Sequence, residues 1–182
     1  MRPLATNLLV TGPPGCGKST LVIRLAERIP VRSRGFTTAE IRNSRGEREG
    51  FRITALSGAE GVLAHRDRTT GPRVGRYRVN LGDMDAIGTS EIEKALDDPA
   101  TELIVVDEIA RMELFSQRFR NAVERALSSQ KPVLGTIQIR RDPYLDAIRN
   151  RKDTIVIPVV RGKLETAERR ILADLGGMLK IP

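Results

Sequence analysis

The sequence predicts an α/β fold of three layers: a mainly parallel β-sheet with helices on both faces and an antiparallel extension formed by residues 31–80. Two observations lead to this prediction. Short, almost wholly apolar runs alternate with segments of helical periodicity, as in strands that are buried on both faces. Between residues 31 and 80 the pattern changes to short β-type pieces separated by glycine turns. No repeat or linker divides the chain, so we expect one domain over residues 1–182.

The first half of the chain begins with a strand, a loop and a helix. The segment "TNLLVTG" predicts a buried strand, and "KSTLVIRLAERI" predicts a helix with Leu21, Leu25 and Ile29 on one face. The β-type pieces that follow are "RGFTTAEIR", "GFRITAL", "GVLAHRD" and "GRYRVNL". The segment "TSEIEKALDD" is typical of a short helix, and the spacing of Ser90 and Glu93 predicts a capping box at its start.

The second half returns to alternating strands and helices. "ELIVVD", "KPVLGTIQI" and "DTIVIPV" predict strands, with a helix around residues 115–128 after the first. Asp142 and Pro143 predict the start of another helix, "DPYLDAIRN", because aspartate caps helices and proline suits the first turn. A last helix, "LETAERRILADLGG", is expected to end at Gly176.

Composition indicates a soluble globular protein, with 40% hydrophobic and 30% charged residues. The apolar runs are too short to cross a bilayer, and the N-terminal "MRPLATNLLVTG" lacks the small-residue cleavage site of a signal peptide. A single cysteine excludes an internal disulfide framework and suits a reducing compartment. We therefore expect a cytoplasmic protein that does not bind membranes.

The net charge is +8, and 25 of the 31 basic residues are arginine. Residues 31–78 hold eleven arginines against five acids, and residues 140–170 hold nine basic residues against five acids. A surface for nucleic acid and an ordinary ion-paired surface both fit this excess. Aromatic residues make up only 3%, which leaves few platforms for stacking single-stranded bases, so nucleic-acid binding is not favoured.

The segment "GPPGCGKS" matches the phosphate-binding pattern G-x-x-x-x-G-K-[ST], with a predicted strand before it and a helix after it. In such a loop the backbone N–H groups and the helix N-terminus hold the phosphates, the lysine reaches the β- and γ-phosphates and the serine hydroxyl ligates Mg²⁺. Cys16 has no apparent histidine base, so we expect no nucleophilic role for it. The predicted nucleotide-binding residues are Gly12, Pro13, Pro14, Gly15, Cys16, Gly17, Lys18, Ser19 and Thr20.

Two adjacent acids, Asp107 and Glu108, follow the apolar run "LIVV". A carboxylate at such a strand end holds the Mg²⁺ site, which we assign to Asp107 with Ser19. Side chains alternate along a strand, so Glu108 points elsewhere and is predicted to deprotonate an attacking water. In sheets of this kind an extra strand separates the two motif strands and carries a polar residue near the γ-phosphate. In "VLGTIQ" we predict Thr136 for that position, ahead of Gln138.

Arginines near these motifs are candidates for stabilising charge on the transferred phosphoryl group. Arg42 and Arg45 follow a β-type piece and could approach the triphosphate, although a solvated turn fits them equally. We place Arg42 among the predicted catalytic residues. Arg111, four residues after Asp107, is a further candidate for the rim of the site.

With these motifs in view, the chain resembles the small P-loop nucleoside-triphosphatase family that includes thermophile enzymes and the cancer-related nucleoside-triphosphatase. The resemblance extends over almost the whole chain; one difference is "NSRGERE", where relatives tend to carry glycines. It is carried by "TGPPGCGKSTL", "GFTTAEIR" followed by "REGFRI", "LSGAEGVLA", "VGRYRV", "VVDEIARMEL" and "KPVLGTI".

The resemblance implies a three-layer P-loop NTPase fold with a RecA-like core and Mg²⁺-dependent hydrolysis of ATP, GTP and other NTPs to NDPs, with loose base selectivity. It matches Lys18 and Ser19 to phosphate and metal binding, Asp107 to the metal and Glu108 to acid–base catalysis. The oligomeric state stays open, with a monomer slightly favoured.

Two other functions remain open. A small nucleotide or nucleoside kinase would share the phosphate loop, and Arg140, Arg141, Arg149 and Arg151 could form its phosphate-clamping lid. A nucleic-acid-responsive ATPase switch would use the basic surfaces. The adjacent acids favour a hydrolase over both.

Overall fold

A computed structural model describes residues 6–179. The ends of the predicted domain, residues 1–5 and 180–182, lie outside the described residues. The start of the segment searched for a signal peptide lies there too. The strands are β1 (Asn7–Thr11), β2 (Ser33–Arg42), β3 (Arg48–Ala55), β4 (Glu60–His65), β5 (Arg73–Val74), β6 (Tyr77–Val79), β7 (Leu103–Ile109), β8 (Val133–Ile137) and β9 (Thr154–Pro158). The α-helices are α1 (Lys18–Arg28), α2 (Leu81–Asp83), α3 (Ser90–Asp97), α4 (Gln117–Leu127), α5 (Pro143–Arg149) and α6 (Leu164–Leu179).

Two further helical turns lie between these elements. A π-helical turn, Met84–Thr89, joins α2 to α3, and a 3₁₀ turn, Glu113–Phe115, precedes α4.

Within residues 6–179, nine strands form one sheet in the order β5-β6-β4-β3-β2-β7-β8-β1-β9. The strands β2, β7, β8, β1 and β9 are parallel, and β3 to β6 extend the sheet with antiparallel pairs. The predicted parallel sheet with an antiparallel extension is therefore confirmed. As predicted, β8 separates the phosphate-loop strand β1 from the acidic strand β7.

Strand β2 belongs to both parts of the sheet. Its residues Ser33 to Phe36 pair in parallel with β7, and residues Phe36 to Arg42 pair antiparallel with β3. The extension therefore begins partway along β2 and not at residue 31. Gly35 permits the close pairing with β7, since a Cβ there would lie 1.9 Å from the Val105 carbonyl oxygen.

The sheet separates two hydrophobic cores, because successive residues on its parallel strands face opposite sides. Leu8 and Val10 pack with α1 and α6, whereas Leu9, between them, packs in the core that contains α3, α4 and α5. This arrangement gives the three layers that the sequence predicts. Among residues 6–179, no helix combines the length and the apolar character needed to cross a membrane.

The capping box predicted at Ser90 and Glu93 is wrong. The chain is already helical before Ser90, because α2 and the π-helical turn lead directly into α3. The cap lies ten residues earlier, where the Asn80 side chain accepts a hydrogen bond from the Asp83 amide. Glu93 instead accepts a hydrogen bond from Arg118 Nε on α4 at 3.0 Å.

The predicted end of the last helix at Gly176 is also wrong, since α6 continues to Leu179. Glycine costs a helix about 1 kcal/mol relative to alanine, which packing can outweigh. Met178 and Leu179 pack against the core formed with α1, so the apolar face continues past the glycine. The predicted cap of α5 is confirmed: Asp142 accepts from the amides of Tyr144 and Leu145, with Pro143 in the first turn.

Candidate active site

The phosphate loop connects β1 to α1 at the carboxyl edge of the parallel strands. Gly17 precedes the first residue of α1 with a φ of 101°, a left-handed conformation that side chains other than glycine rarely adopt. Among residues 6–179 no side chain caps this helix, which leaves its first N–H groups available to bind an anion. Cys16 is buried and packs in the core beneath the loop, which agrees with the absence of a nucleophilic role.

Lys18 and Ser19 begin α1 and take up separate contacts. Lys18 Nζ donates hydrogen bonds to the carbonyl oxygens of Gly12 at 3.1 Å and Pro13 at 3.2 Å. These contacts hold the ammonium group across the loop where the phosphates are expected. Thr20 is exposed one residue further along the helix.

Asp107 lies near the end of β7, fully buried, and receives three hydrogen bonds from three different elements. Ser19 Oγ donates to Oδ1 at 2.9 Å, Thr136 Oγ1 donates to Oδ1 at 2.6 Å, and the Thr38 amide donates to Oδ2 at 3.4 Å. Burial raises the pKa of Asp107, and these donors act in the opposite direction. The carboxylate is therefore held in one orientation beside the serine of the phosphate loop.

This pair fits a magnesium site. Mg²⁺ in nucleotide enzymes is held by one or two protein oxygens together with substrate phosphates and water. The contact between Ser19 and Asp107 places a hydroxyl and a carboxylate side by side next to the phosphate loop. Among residues 6–179, no group of three or more His, Cys, Asp or Glu side chains could hold a metal ion. Substrate phosphates and water would therefore supply the remaining ligands of Mg²⁺.

Glu108 differs from Asp107 in its hydrogen bonding. Its carboxylate accepts no hydrogen bond from the described residues, and it lines an open cavity that Lys18 and Ser19 also line. Burial raises the pKa of Glu108 to about 7; Lys18 lowers it and Asp107 raises it. The two carboxylates have different surroundings, since Asp107 is fully buried and Glu108 lines the cavity; the peptide bond that joins them is cis.

The cavity has a volume of about 430 Å³ and extends from the phosphate loop to the antiparallel extension. Phe51 of β3, Leu63 of β4 and Val74 of β5 line it, so the extension is part of the site. The lining residues are Pro14, Gly15, Lys18, Ser19, Thr38, Ala39, Glu40, Arg48, Phe51, Leu63, Val74, Glu108, Ala110, Arg111, Met112, Glu113, Gln138 and Arg140.

The position of Thr136 differs from the predicted one. It is fully buried and its hydroxyl donates to Asp107, so it supports the metal-site carboxylate and does not line the cavity. Gln138, two residues further along, lines the cavity, and its Oε1 accepts from the Arg111 amide at 3.1 Å. The polar residue at the end of this strand that faces the site is therefore Gln138.

Arg42 also lies elsewhere than predicted. Its guanidinium pairs with Glu40 and donates to the Gly46 carbonyl oxygen in an exposed turn, outside the cavity lining. Arg48 lines the cavity in its place. Its Nη1 donates a hydrogen bond to Glu40 Oε1 at 2.9 Å, and its Nε donates to the Tyr77 hydroxyl oxygen at 2.9 Å. Arg42 and Arg48 are paired across β2 and β3, next to a register shift between Ile41 and Arg42, and sequence spacing alone could not predict which of them lines the cavity.

Most of the arginines suggested for a lid have structural partners. Arg141 and Arg149 pair with Asp146, and Arg151 pairs with Asp153 and donates to the Leu127 carbonyl oxygen. Arg140 lines the cavity instead. The rim position proposed for Arg111 agrees with the structure, since it too lines the cavity.

Glu113, in the 3₁₀ turn after β7, is a site residue that the sequence reasoning missed. It is 3% exposed, lines the cavity, and its Oε2 has no hydrogen-bond partner among the described residues. Burial raises the pKa of Glu113 well above its ordinary value, and the charge of Glu108 raises it further. A signal existed in the sequence: Glu113 lies between Met112 and Leu114, two apolar residues of types that are often buried.

This strand order and phosphate loop define the class of RecA-like P-loop proteins. A family model described as NTPase matches residues 7–172. The chain therefore belongs to the nucleoside-triphosphatase family, which confirms the resemblance found from its motifs and the expected enzyme class.

Individual relatives resemble the chain over nearly its full length. Nucleoside-triphosphatase THEP1 of Thermotoga sp. strain RQ2 is 43% identical over 169 residues, which are 93% of this chain and 95% of that protein. The crystal structure of THEP1 from the hyperthermophile Aquifex aeolicus matches with a TM-score of 0.83 and 31% identity, covering 92% of this chain and 97% of that one. The solution structure of a human cancer-related nucleoside triphosphatase matches with a TM-score of 0.78 and 34% identity, covering 95% and 98%.

Proposed function

We propose that this protein hydrolyses nucleoside triphosphates to nucleoside diphosphates and inorganic phosphate in a Mg²⁺-dependent reaction, with Glu108 as the general base. The observation that carries the proposal is the division between the two acids. Asp107 is fixed by Ser19, Thr136 and Thr38, whereas Glu108 lines the cavity without a hydrogen-bond partner among the described residues. A carboxylate that is free to accept a proton from water is what a hydrolase requires and a merely binding protein does not.

In this mechanism the phosphate loop and Lys18 bind the triphosphate and offset the charge on its β- and γ-phosphates. Ser19 and Asp107 would hold Mg²⁺, which neutralises charge on the phosphates when bound. Glu108 takes a proton from water as the water oxygen bonds to the γ-phosphorus. The bond from that phosphorus to the bridging oxygen breaks, and the diphosphate leaves with its electron pair.

The substrates we propose are ATP, GTP and other nucleoside triphosphates. The roles proposed for Lys18, Ser19, Asp107 and Glu108 concern the phosphates, Mg²⁺ and the attacking water, which the hydrolysis of every NTP has in common. The relatives carry the general name nucleoside-triphosphatase, which names no base. Broad base selectivity follows from such a set of contacts.

The test is a steady-state phosphate-release assay on wild type, Lys18→Ala and Glu108→Gln with the four common NTPs. We expect Lys18→Ala to weaken both binding and turnover. Glu108→Gln should retain nucleotide binding and lose turnover by about 10²- to 10⁴-fold, the range for a positioned general base.

The matched control is Glu27→Gln, which removes an exposed carboxylate on α1 and should leave the rate unchanged. Hydrolysis by Glu108→Gln at nearly the wild-type rate would contradict the mechanism. Formation of ADP that depends on an added monophosphate acceptor would instead show a kinase.

A further inference from the structure

A second cavity, of about 330 Å³, adjoins the candidate active site. It lies between the turn after β7, the first turn of α4 and the start of α5. Two of its residues, Arg111 and Arg140, also line the active-site cavity, so the two spaces share a wall. Its other main lining residues are Leu114, Phe115, Arg120 and Tyr144.

The charge in this cavity is positive and not neutralised. Among residues 6–179, no carboxylate lies within 4.0 Å of the guanidinium groups of Arg111, Arg120 or Arg140, whereas nearby arginines such as Arg118 are paired. The one acid in the lining, Asp142, accepts from the amides at the start of α5. Three arginines and one carboxylate line this cavity, so its net charge is positive and suits an anion.

Arg120 supplies an independent observation. Its Nε is buried and has no hydrogen-bond partner among the described residues. A buried N–H of a charged group without an acceptor is costly, and such groups in native proteins usually find a partner. The Tyr144 hydroxyl donates to the Arg120 carbonyl oxygen at 3.0 Å and does not accept from this nitrogen. Arg120 therefore lines the cavity with a guanidinium group whose Nε the described residues leave without an acceptor.

The cavity also has an apolar side. Phe115 is 39% exposed, and Leu114 lies beside it in the lining. A ligand that fits this cavity therefore has an anionic end for the guanidinium groups and a flat or apolar body for Phe115. The volume is near the lower limit for small-molecule sites, which excludes a bulky ligand.

We propose that this cavity binds a small phosphomonoester with a ring-shaped body, of the nucleoside monophosphate class. A phosphomonoester is a dianion at neutral pH and presents three oxygens, which suits several guanidinium groups better than one carboxylate does. Since Arg111 and Arg140 face both spaces, its occupant and the triphosphate bind against the same two side chains. Occupation of one site therefore changes affinity at the other, and the effect is reciprocal. Binding here does not require Glu108 to act as a base.

The experiment uses the full chain saturated with Mg²⁺ and a non-hydrolysable ATP analogue, so that the phosphate loop is filled. Calorimetric titration with AMP should show one binding site per chain, and adenosine at the same concentrations should show none. Arg120 lines the second cavity and not the active-site cavity. Arg120→Gln should therefore weaken AMP binding by about 10- to 100-fold. The matched control on the same helix is Arg125→Gln, whose side chain is exposed and pairs with Asp97, and it should bind AMP normally.

Arg120→Lys keeps the charge but loses the planar fork, and intermediate affinity would support the site. If Arg120→Gln does not fold, Phe115→Ala takes its place, with weaker AMP binding expected. No AMP binding to wild type at millimolar concentration, or equal binding by wild type and the Arg120 and Phe115 variants, overturns the proposal. Displacement of AMP by a short RNA with a steep salt dependence also overturns it and indicates a nucleic-acid surface instead.

Discussion

Asp107 shows how one carboxylate depends on side chains that are distant in sequence. Its three hydrogen bonds come from α1, β2 and β8, and together they decide which way the carboxylate faces. Partners behind a metal ligand fix its orientation, and their loss typically costs about 10- to 100-fold in metal affinity or activity. Thr136 is such a partner.

Thr136→Val should lower Mg²⁺ affinity and NTP turnover by about 10- to 100-fold, because one donor to Asp107 Oδ1 is lost at unchanged side-chain size. Thr136→Ser keeps the hydroxyl and should restore most of the activity. The measurement is turnover as a function of Mg²⁺ concentration for both variants. Equal loss in the two would show that packing matters at this position and not the hydrogen bond.

Glu113 should make stability depend on pH. Its pKa is raised by burial and by Glu108, so above the ordinary glutamate value the unfolded chain releases a proton that the folded protein keeps. Stability therefore falls as pH rises towards the folded-state pKa. Glu113→Gln removes this loss, so its stability relative to wild type should increase as the pH rises above the ordinary pKa of glutamate. Denaturant unfolding in metal-free buffer measures the difference.

The control for Glu113 is a carboxylate with the opposite shift. Arg118 lowers the pKa of Glu93, so Glu93→Gln should be less stable than wild type at neutral pH. That deficit should shrink as pH falls through the folded-state pKa of Glu93. A difference between Glu113→Gln and wild type that does not change with pH would show that Glu113 is ionised in the folded protein.

At the scale of elements, the start of α4 positions the turn that carries Glu113 and Phe115. Ser116 Oγ accepts from the Phe119 amide at 3.0 Å and also donates to Asp85, which ties α4 to the π-helical turn. The cap thus connects the wall of both cavities to the body of the protein.

Ser116→Ala should reduce the free energy of unfolding by about 0.5–2 kcal/mol, since an N-cap and a buried hydrogen bond are lost together. The neighbouring Gln117 is exposed, and its side chain donates a hydrogen bond to Asn121 Oδ1. Gln117→Ala should therefore change the free energy of unfolding by no more than about 0.5 kcal/mol. Urea unfolding of the two variants makes the comparison. Equal effects would mean that Ser116 contributes no cap.

For the whole molecule, the core that contains α3, α4 and α5 joins the parallel strands to the extension. Phe36, at the residue of β2 where pairing changes from parallel to antiparallel, is fully buried and packs edge-on against Phe119 with ring centroids 6.0 Å apart. One side chain therefore connects the two parts of the sheet to the helix layer.

Phe36→Ala should cost about 3–5 kcal/mol in the free energy of unfolding, because it leaves a cavity where these parts meet. Leu56→Ala, at a side chain that is 41% exposed in the extension, should cost no more than about 1 kcal/mol. Thermal unfolding distinguishes them. A small effect of Phe36→Ala would show that the core can close around the missing ring.

Sequence reasoning located the elements well and their ends less well. The strands follow from apolar runs and alternation, which depend on residues close in sequence, and the cap at Asp142 is equally local. The capping box at Ser90 and the end at Gly176 failed because both depend on structure that the local pattern does not contain. The first depends on a preceding π-helical turn, and the second on core packing beyond the glycine.

The sequence by itself determined the phosphate loop, the adjacent acids and the family, since each is a short pattern whose meaning lies in its own residues. Only the tertiary structure decided that Thr136 supports Asp107 while Gln138 faces the cavity, that Arg48 occupies the place expected for Arg42, and that Glu113 is buried there. Residues far apart in sequence meet in these contacts, and a side chain's direction is set by the neighbours that enclose it. Local spacing carries no information about those neighbours.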